Sequence, residues 1–478
     1  MSIEFKTVYP GIYDEKEQQL LNETNDFFSG DEEILQQKLA RQATGYKGVG
    51  GMELNSGIGH IENVLGRNDV LTANKSVNAR NPLYTDADYA RKTKWGKLMA
   101  APMSQECGAL FPLMPRGTDV WISSEEPTER GLDHELTFHK PIFEGDYISS
   151  AITSQYITDI TDPNGSKVRR FRATGTGELR NENGEVLISG VYRGIETFKV
   201  PEDYSKVDDY DGPRSIYYPT YNNWDTERPR HVYTDEDYDL IKGIWAGEYI
   251  RGSETLYWED VNIGDEPAWT CDGPYTDGKK GGPMPGSMTV EARTVLMGEP
   301  IVMDVIPGMP GGPMEPPKTE LKKDEYGIIS VETKGGGMAG PPPRQDNTPP
   351  HPNKRASFQN TVGRNLAAKF VTNWMGDDGW LYKLCWRLSF CMDHGRNMFP
   401  ENFDRPSYLL KVPYLKEAGK FMNTHGYIGD IAITKGYVCD KYIKDGKHYV
   451  DLVVWCEEIE GGIFAECYAV VELPSKNA

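Results

Sequence analysis

A β-rich passage occurs twice in this chain. From His134 to Val200 the sequence runs HELTFHKPIFEGDYISSAITSQYITDI, a DPNG turn, KVRRFRATGTGELR, an NENG turn and EVLISGVYRGIETFKV. Near the C-terminus it runs HGYIGDIAITKGYVCDKYI, a KDGK turn, HYVDLVVWCEEI, an EGG turn and IFAECYAVVELP. In both, a Gly-Asp pair, Gly145-Asp146 or Gly429-Asp430, stands just before a strand run, and two Gly-containing turns follow in the same order. Gly-containing turns between β-branched and aromatic runs predict an antiparallel meander, and the shared order predicts two copies of one unit. A helical run precedes each copy: Met103 to Met114, and Thr361 to Met375, where Val362, Leu366, Phe370 and Trp374 recur at helical spacing. A long helix followed by a meander able to wrap it is the layout of a hotdog fold. The expected class is therefore α+β, a double hotdog with two long central helices, each wrapped by an antiparallel sheet.

The remaining segments fit around these units. Residues 13–43 place Leu20, Leu21, Phe27, Phe28, Ile34, Leu35 and Leu39 among acids and glutamines, with a break near Ser29-Gly30, which predicts an N-terminal helical arm over 1–60. The first hotdog is expected over 61–200, an acidic, Tyr-rich connector over 201–256 and the second hotdog over 257–478, with insertions at 273–352 and 391–417. The 50 Gly and 32 Pro concentrate in the first of these insertions, as in GPYTDGKKGGPMPGSM and GGGMAGPPPRQDNTPPHP. Apolar residues interleaved with the glycines predict a structured insertion or lid, with strands at Val302 to Ile306 and Ile328 to Glu332.

Composition excludes several classes. A formal charge of -20 repels phosphate backbones and anionic lipid, so neither a nucleic-acid nor a membrane partner is expected. No run of about 20 apolar residues occurs, and the opening MSIEFKTVYPGIYDEKEQQ has no signal-peptide pattern, which predicts a cytoplasmic location. Seven scattered cysteines without a CxxC pair fit neither a disulfide framework nor a zinc site, so reduced thiols and no metal are expected.

The stretch ENVLGRNDVLTANKSVNARNPLYTDADYARKTKWGKLMAAPMSQ is more particular. With Asn81-Pro82-Leu83, the helix start Asp86 to Ala90, and Trp95-Gly96 through Pro102, it resembles the N-terminal dehydratase-like domain of double-hotdog MaoC-type acyl-CoA hydratases. YWEDVNIGDE at Tyr257 to Glu266 and TNWMGDDGWL at Thr372 to Leu381 resemble the second domain of that family. The likeness covers roughly Ile61 to Phe198 and Arg251 to Ser475. It implies reversible addition of water across the 2,3-double bond of an acyl-CoA, with CoA entering as part of the substrate and no other cofactor. It further implies an Asp and a His, normally spaced Gly-Asp-x-Asn-Pro-x-His, holding one water between base and acid. A backbone N–H at the start of the central helix would meet the charge on the thioester oxygen.

Aligned on that motif, the first half has Ala79 at the Asp position and Tyr84 at the His position. A phenol with an ordinary pKa near ~10 is a poor base at neutral pH, so the first hotdog is expected to be a structural or acyl-binding partner. In the second half, Asp346-Asn347-Thr348-Pro349-Pro350-His351 keeps the Asp-to-His separation, with Gln345 for the Gly and Thr348 for the Asn. Asp346 and His351 are therefore the expected catalytic dyad, and Asn360 or Thr361 the expected source of the oxyanion N–H. Only eight residues lie between His351 and Asn360, so the short helix usual there is missing.

Other candidates carry blander expectations. Asp377 and Asp378 are expected to cap and turn; His134 and His139 are expected to be structural; Glu259 and Asp260 should mark a strand start. Arg169-Arg170 and Lys279-Lys280 are expected to be solvated. His394 and His425 flank an insertion able to reach the pocket, but as lone histidines they are expected to be surface or packing residues. The expected partner is a small-molecule acyl-CoA, and the expected assembly is a homo-oligomer, with a hetero-oligomer as the alternative. The competing class is a non-catalytic thioester-binding or assembly subunit, and a thioesterase is a related enzymatic option.

Overall fold

The fold is organised by one local turn used three times. At Gly145-Asp146, the Phe143 N–H donates to Asp146 Oδ2 (2.8 Å), and the Asp146 N–H returns to the Phe143 carbonyl (3.2 Å). Gly145 (φ 91°) then donates to the Leu65 carbonyl (2.7 Å), while Leu65 donates to the Asp146 carbonyl (2.9 Å). At Gly429-Asp430 the pattern repeats atom for atom. Tyr427 donates to Asp430 Oδ2 (2.9 Å), Asp430 to the Tyr427 carbonyl (2.9 Å), Gly429 (φ 101°) to the Tyr275 carbonyl (2.6 Å), and Tyr275 to the Asp430 carbonyl (2.9 Å). Asn262 to Asp265 forms the third copy: Asn262 donates to Asp265 Oδ2 (2.7 Å), and Gly264 (φ 100°) and Asp265 exchange hydrogen bonds with Val438. The carboxylate closes the turn and the left-handed glycine aims the chain back along a neighbouring segment, so the Gly-Asp pair needs both residues.

In the computed structural model the described residues are 4–7, 62–104, 129–159, 168–199, 230–275, 292–299, 318–334, 362–388, 392–393, 396–397, 408–418 and 426–477. The longer strands are β1 (Glu4–Thr7), β2 (Glu62–Val64), β3 (Glu129–Phe138), β4 (Tyr147–Asp159), β5 (Val168–Arg180), β6 (Val186–Lys199), β7 (Thr270–Asp272), β8 (Lys318–Lys323), β9 (Ile329–Lys334), β10 (Trp380–Leu388), β11 (Ala432–Lys444), β12 (Lys447–Glu457) and β13 (Ile463–Leu473), beside a two-residue pair, Met392–Asp393 with Arg396–Asn397. The helices are α1 (Arg67–Ser76), α2 (Pro82–Thr85), α3 (Ala87–Ala90), α4 (Asp235–Gly247), α5 (Ala292–Leu296), α6 (Val362–Met375) and α7 (Pro413–Ala418). Eleven strands make one sheet in the order β1-β4-β5-β6-β3-β10-β13-β12-β11-β7, with β2 also paired to β4. The set β2, β4, β5, β6, β3 has the same neighbour order as β7, β11, β12, β13, β10. The two sets join antiparallel through β3 and β10, from Thr137↔Lys383 to Asp133↔Arg387. Among the described residues of the main sheet only β1 pairs parallel, to residues 156–159 of β4.

Helix α6 lies against the second set and is buried on every side, with thirteen of its fourteen residues buried. Two glycines allow this approach. A Cβ on Gly363 would lie 2.4 Å from the Ala465 Cβ, and one on Gly436 would lie 2.4 Å from Phe370 Cε1. Strict alternation on β12 serves both faces: Leu452, Val454 and Cys456 join the core with α6, while Val453 and Trp455 face the other way. The expected antiparallel meanders and the expected helix over 361–375 are therefore present. Of the expected first helix only Met103 and Ser104 are described; the remainder lies outside the described residues.

Four segments differ from expectation. Residues 4–7, assigned above to a helical arm, form strand β1, while residues 13–43 lie outside the described residues. The connector holds a full helix, α4, whose Thr234–Asp237 capping box starts it and whose Tyr238, Ile241, Ile244 and Trp245 are buried against Cys271, Ile431 and Ile433. YWED is a 3₁₀ turn rather than a strand start, and Glu259 accepts from the Ser475 hydroxyl (2.6 Å) and the Lys476 N–H (3.0 Å). Within the second insertion Met392–Asp393 pairs antiparallel with Arg396–Asn397, and the segment Tyr408 to Ala418 packs Leu409 and Val412 on Val453 and Trp455, the sheet face opposite α6. It therefore covers the back of the sheet; His394 and His425 lie outside the described residues. The first insertion returns α5 and the β8–β9 hairpin, where Ile328 joins the α4 cluster, and the strand expected at 328–332 is β9; 302–306 lies outside the described residues.

Candidate functional site

Asp346, His351, Asn360 and Thr361 lie outside the described residues, and so do Lys279 and Lys280. Helix α6 starts at Val362, directly after the pair expected to supply the oxyanion N–H, and its first turn is buried. Within that turn Arg364 is wholly buried, and its Nη1 donates to His134 Nδ1 on β3 at 2.8 Å. A guanidinium has only donors, so the His134 Nδ1 accepts and the ring proton sits on Nε2. The His134 ring packs on Tyr192 (4.6 Å) and Trp386 (5.0 Å) where the two halves meet. His139, in contrast, is exposed and bonds Ser189 Oγ at 2.8 Å. His134 is thus buried as expected of a structural residue, whereas His139 lies at the surface.

The motif-bearing loop of the first half is fully described. Asn81 is buried, caps α2 by accepting from the Leu83 N–H (2.9 Å), and precedes Pro82 at the first helical position. Asp86 caps α3 from the Asp88 and Tyr89 N–H groups (2.8 and 3.1 Å). Asn74 ties the loop from behind: its Nδ2 donates to the Tyr84 and Met99 carbonyls (2.7 and 2.8 Å) and its Oδ1 accepts from Ala101 (2.7 Å). Ala79 is packed against the core, and Tyr84 is 2% exposed. Burial first, and the nearby Asp377 carboxylate second, push the Tyr84 hydroxyl far above the usual phenol range. Tyr84 is thus a neutral phenol at any physiological pH, and neither Ala79 nor Tyr84 supplies a base at the motif positions.

Beside the same loop lies a buried ionic group that sequence patterning did not single out. Lys369, on the middle of α6, has no exposed side-chain surface; its Nζ donates to Asp272 Oδ2 (2.8 Å) and lies 3.6 Å from Glu248 Oε1. Asp272 also accepts from Asn78 Nδ2. Glu248 accepts from Asn373 Nδ2 (3.1 Å) and pairs with Arg293, which reaches Glu299 (3.1 Å). Burial pushes the Glu248 carboxyl up, but Lys369, Arg293 and Arg80 outweigh it and hold it below its usual range. Burial likewise drives the neighbouring Cys271 thiol well above its usual range, with Asp272 adding to it, so Cys271 is an inert thiol. A Lys and an Arg on a helix buried all round must find partners inside the protein; that was the available signal. Asp377 is more than a turn residue. It is buried, its Oδ2 accepts from the Tyr89 hydroxyl (2.7 Å) and its carbonyl from Trp95 Nε1 (2.8 Å). Asp378 accepts from the Thr255 hydroxyl (2.6 Å).

Among the described residues no helix is long and apolar enough to cross a membrane. No protein-family model matches the chain, and no curated protein matches it. Several solved structures do. One is a MaoC-like dehydratase at 12% identity and a TM-score of 0.39, covering 87% of this chain and 96% of that one. A conserved hypothetical protein from Mycobacterium tuberculosis, described as having a double hotdog fold, is 9% identical with a TM-score of 0.37, covering 87% and 94%. A MaoC-like dehydratase from Phytophthora capsici is 7% identical with a TM-score of 0.34, covering 87% and 96%. Over most of its length, the chain is similar among solved structures to MaoC-like dehydratases.

Proposed function

We propose that the chain hydrates an enoyl-CoA, or dehydrates the corresponding 3-hydroxyacyl-CoA, at one centre per chain placed in its second half. The observation that carries this reading is the edge-to-edge pairing of two matching strand sets, the second of them packed on the buried helix α6, together with the Asn81-Pro82-Leu83 stretch and its capped helices in the first half. In this reading Asp346 and His351 hold one water, the deprotonated water adds to the β-carbon, and the conjugate acid returns a proton to the α-carbon. In the same reading a backbone N–H of Asn360 or Thr361, next before α6 in the chain, binds the thioester oxygen, where the helix dipole favours negative charge. The first half contributes packing, since Ala79 and the buried Tyr84 offer no base.

The neutral Tyr84 also supports a second reading, in which the chain binds thioesters or assembles with a catalytic partner without turnover. Hydration of crotonyl-CoA, followed through loss of enoyl-thioester absorbance, separates the two. The enzyme reading expects turnover that Asp346→Asn lowers by at least ~10²-fold without loss of folding. Turnover unchanged in that variant removes the dyad, and saturable binding without turnover in the natural chain replaces the enzyme by the binding subunit.

A further inference from the structure

The stretch that carries the family likeness does something else in this chain. Its side chains grip helix α6 of the other half at two levels. In the middle of the helix, Asn78 holds Asp272, and Asp272 holds Lys369. Asn78 is at φ 57°, a left-handed conformation that aims its amide across to β7. About two turns further on, the Tyr89 hydroxyl binds Asp377 Oδ2 (2.7 Å), Trp95 Nε1 binds the Asp377 carbonyl (2.8 Å) and Lys94 Nζ binds the Asp378 carbonyl (3.0 Å). These donors meet the turn that follows α6 directly, two and three residues past Met375 and beside the negative end of its dipole. From the second half Arg251 completes the cap, with its N–H on the Asn373 carbonyl (3.0 Å) and its Nε on the Trp374 carbonyl (2.7 Å).

We propose that residues Asn78 to Trp95 form a collar that fixes the axial and rotational setting of helix α6, making Asn78 and Tyr89 positioning residues for the chemistry at the start of that helix. The functional part of this proposal rests on the enoyl-CoA reading above. A helix is stiff, so a grip at its middle and end sets the aim of the N–H groups at its start. Proximity effects are steep: a displacement of ~1 Å can cost on the order of 10²-fold in rate. A loop that carries Ala79 and Tyr84 where the family carries its Asp and His would then serve the reaction from a distance, through its neighbours.

The test uses the full chain and two variants, Asn78→Gly and Tyr89→Phe. Glycine accepts the left-handed conformation of position 78, so the first deletes the amide without backbone strain; the second removes one hydroxyl. Hydrogen exchange of the α6 amides over 366–374 reads the grip directly. Loss of a hydrogen bond to a charged group should speed it about tenfold or more in either variant, with β5 and β6 amides unchanged. With crotonyl-CoA, kcat should fall about tenfold or more while KM stays near that of the natural chain. Unchanged α6 exchange in both variants overturns the collar. Faster exchange with unchanged kcat overturns the positioning role. A natural chain inactive on every enoyl-CoA counts against the proposed reaction alone, and the exchange result then decides the collar.

Discussion

Replacing Lys369 by methionine should destabilise the protein by about 3 kcal/mol, because the substitution keeps the chain's length but removes a charge that two buried carboxylates share. Lys369 has no exposed side-chain surface, and its 2.8 Å bond to Asp272 and 3.6 Å approach to Glu248 are both lost. Removing one member of a buried ion pair costs roughly 3–5 kcal/mol. The lower end applies here, since Asp272 keeps Asn78, and Glu248 keeps Arg293 and Asn373. Adding Asp272→Asn to Lys369→Met removes the uncompensated carboxylate. The double variant should therefore be no less stable than Lys369→Met; with Asp272→Asn alone costing about 2 kcal/mol or more, because it leaves Lys369 short of a buried partner, the coupling is of that size, against the ~0.3–0.5 kcal/mol within which independent sites add. Urea unfolding of the four members of the cycle, followed by tryptophan fluorescence and far-UV circular dichroism, measures it. A cost below ~1 kcal/mol for Lys369→Met, or additivity within ~0.5 kcal/mol, would refute the argument from burial.

Three further outcomes are expected. His231 bridges Asp237 (3.0 Å) and Glu460 (3.1 Å); burial lowers its pKa, but the two carboxylates prevail and raise it above 6.5. Its stabilisation is therefore complete below about pH 6.5 and lost as pH rises through the folded-state value; the stability gap between the natural chain and His231→Gln should narrow above that pH, and a gap constant across it contradicts the clamp. Gly436→Ala places a methyl 2.4 Å from Phe370 Cε1 and should cost about 1–3 kcal/mol in urea unfolding, largely recovered by adding Phe370→Leu; no recovery would place the strain elsewhere. Tyr84→Phe should leave turnover within a few fold, and calorimetry with a slowly hydrated acyl-CoA should find one site per chain; two sites would mean that the first half works through groups other than a base at position 84.

What could be foreseen from the sequence follows the range of the interactions. The Gly-Asp turns are closed within four residues, by a carboxylate and a left-handed glycine, so the repeat was visible in the letters. Helix α6 was visible because Val362, Leu366 and Phe370 recur on one face, although its other faces are buried as well. The ionic group was not visible: Lys369 meets Asp272 and Glu248 from far along the chain, and no periodicity reports such a meeting. Helix α4 offered a local sign in Thr234 and Asp237, hidden by the acidic, Tyr-rich composition around it. The loop around Asn81 showed its caps and its missing base directly, whereas its grip on α6 depends on how the two halves dock. Asp346 and His351, the dyad expected from the motif, remain to be judged by the Asp346→Asn kinetics.

The terminal strand β7 carries a consequence for assembly. A strand at the end of a sheet ordinarily offers a row of free N–H and C=O groups on which another chain can nucleate. Here Thr270, Cys271 and Asp272 are all buried, and the Trp245 indole on α4 donates to the Cys271 carbonyl at 2.9 Å. The connector helix thus acts as a stopper that makes this end of the sheet a poor template for polymerisation. Copies of the chain that associate have to meet away from β7, and destabilising α4, as by replacing Trp245 with alanine, should expose this end of the sheet and favour strand-wise aggregation there.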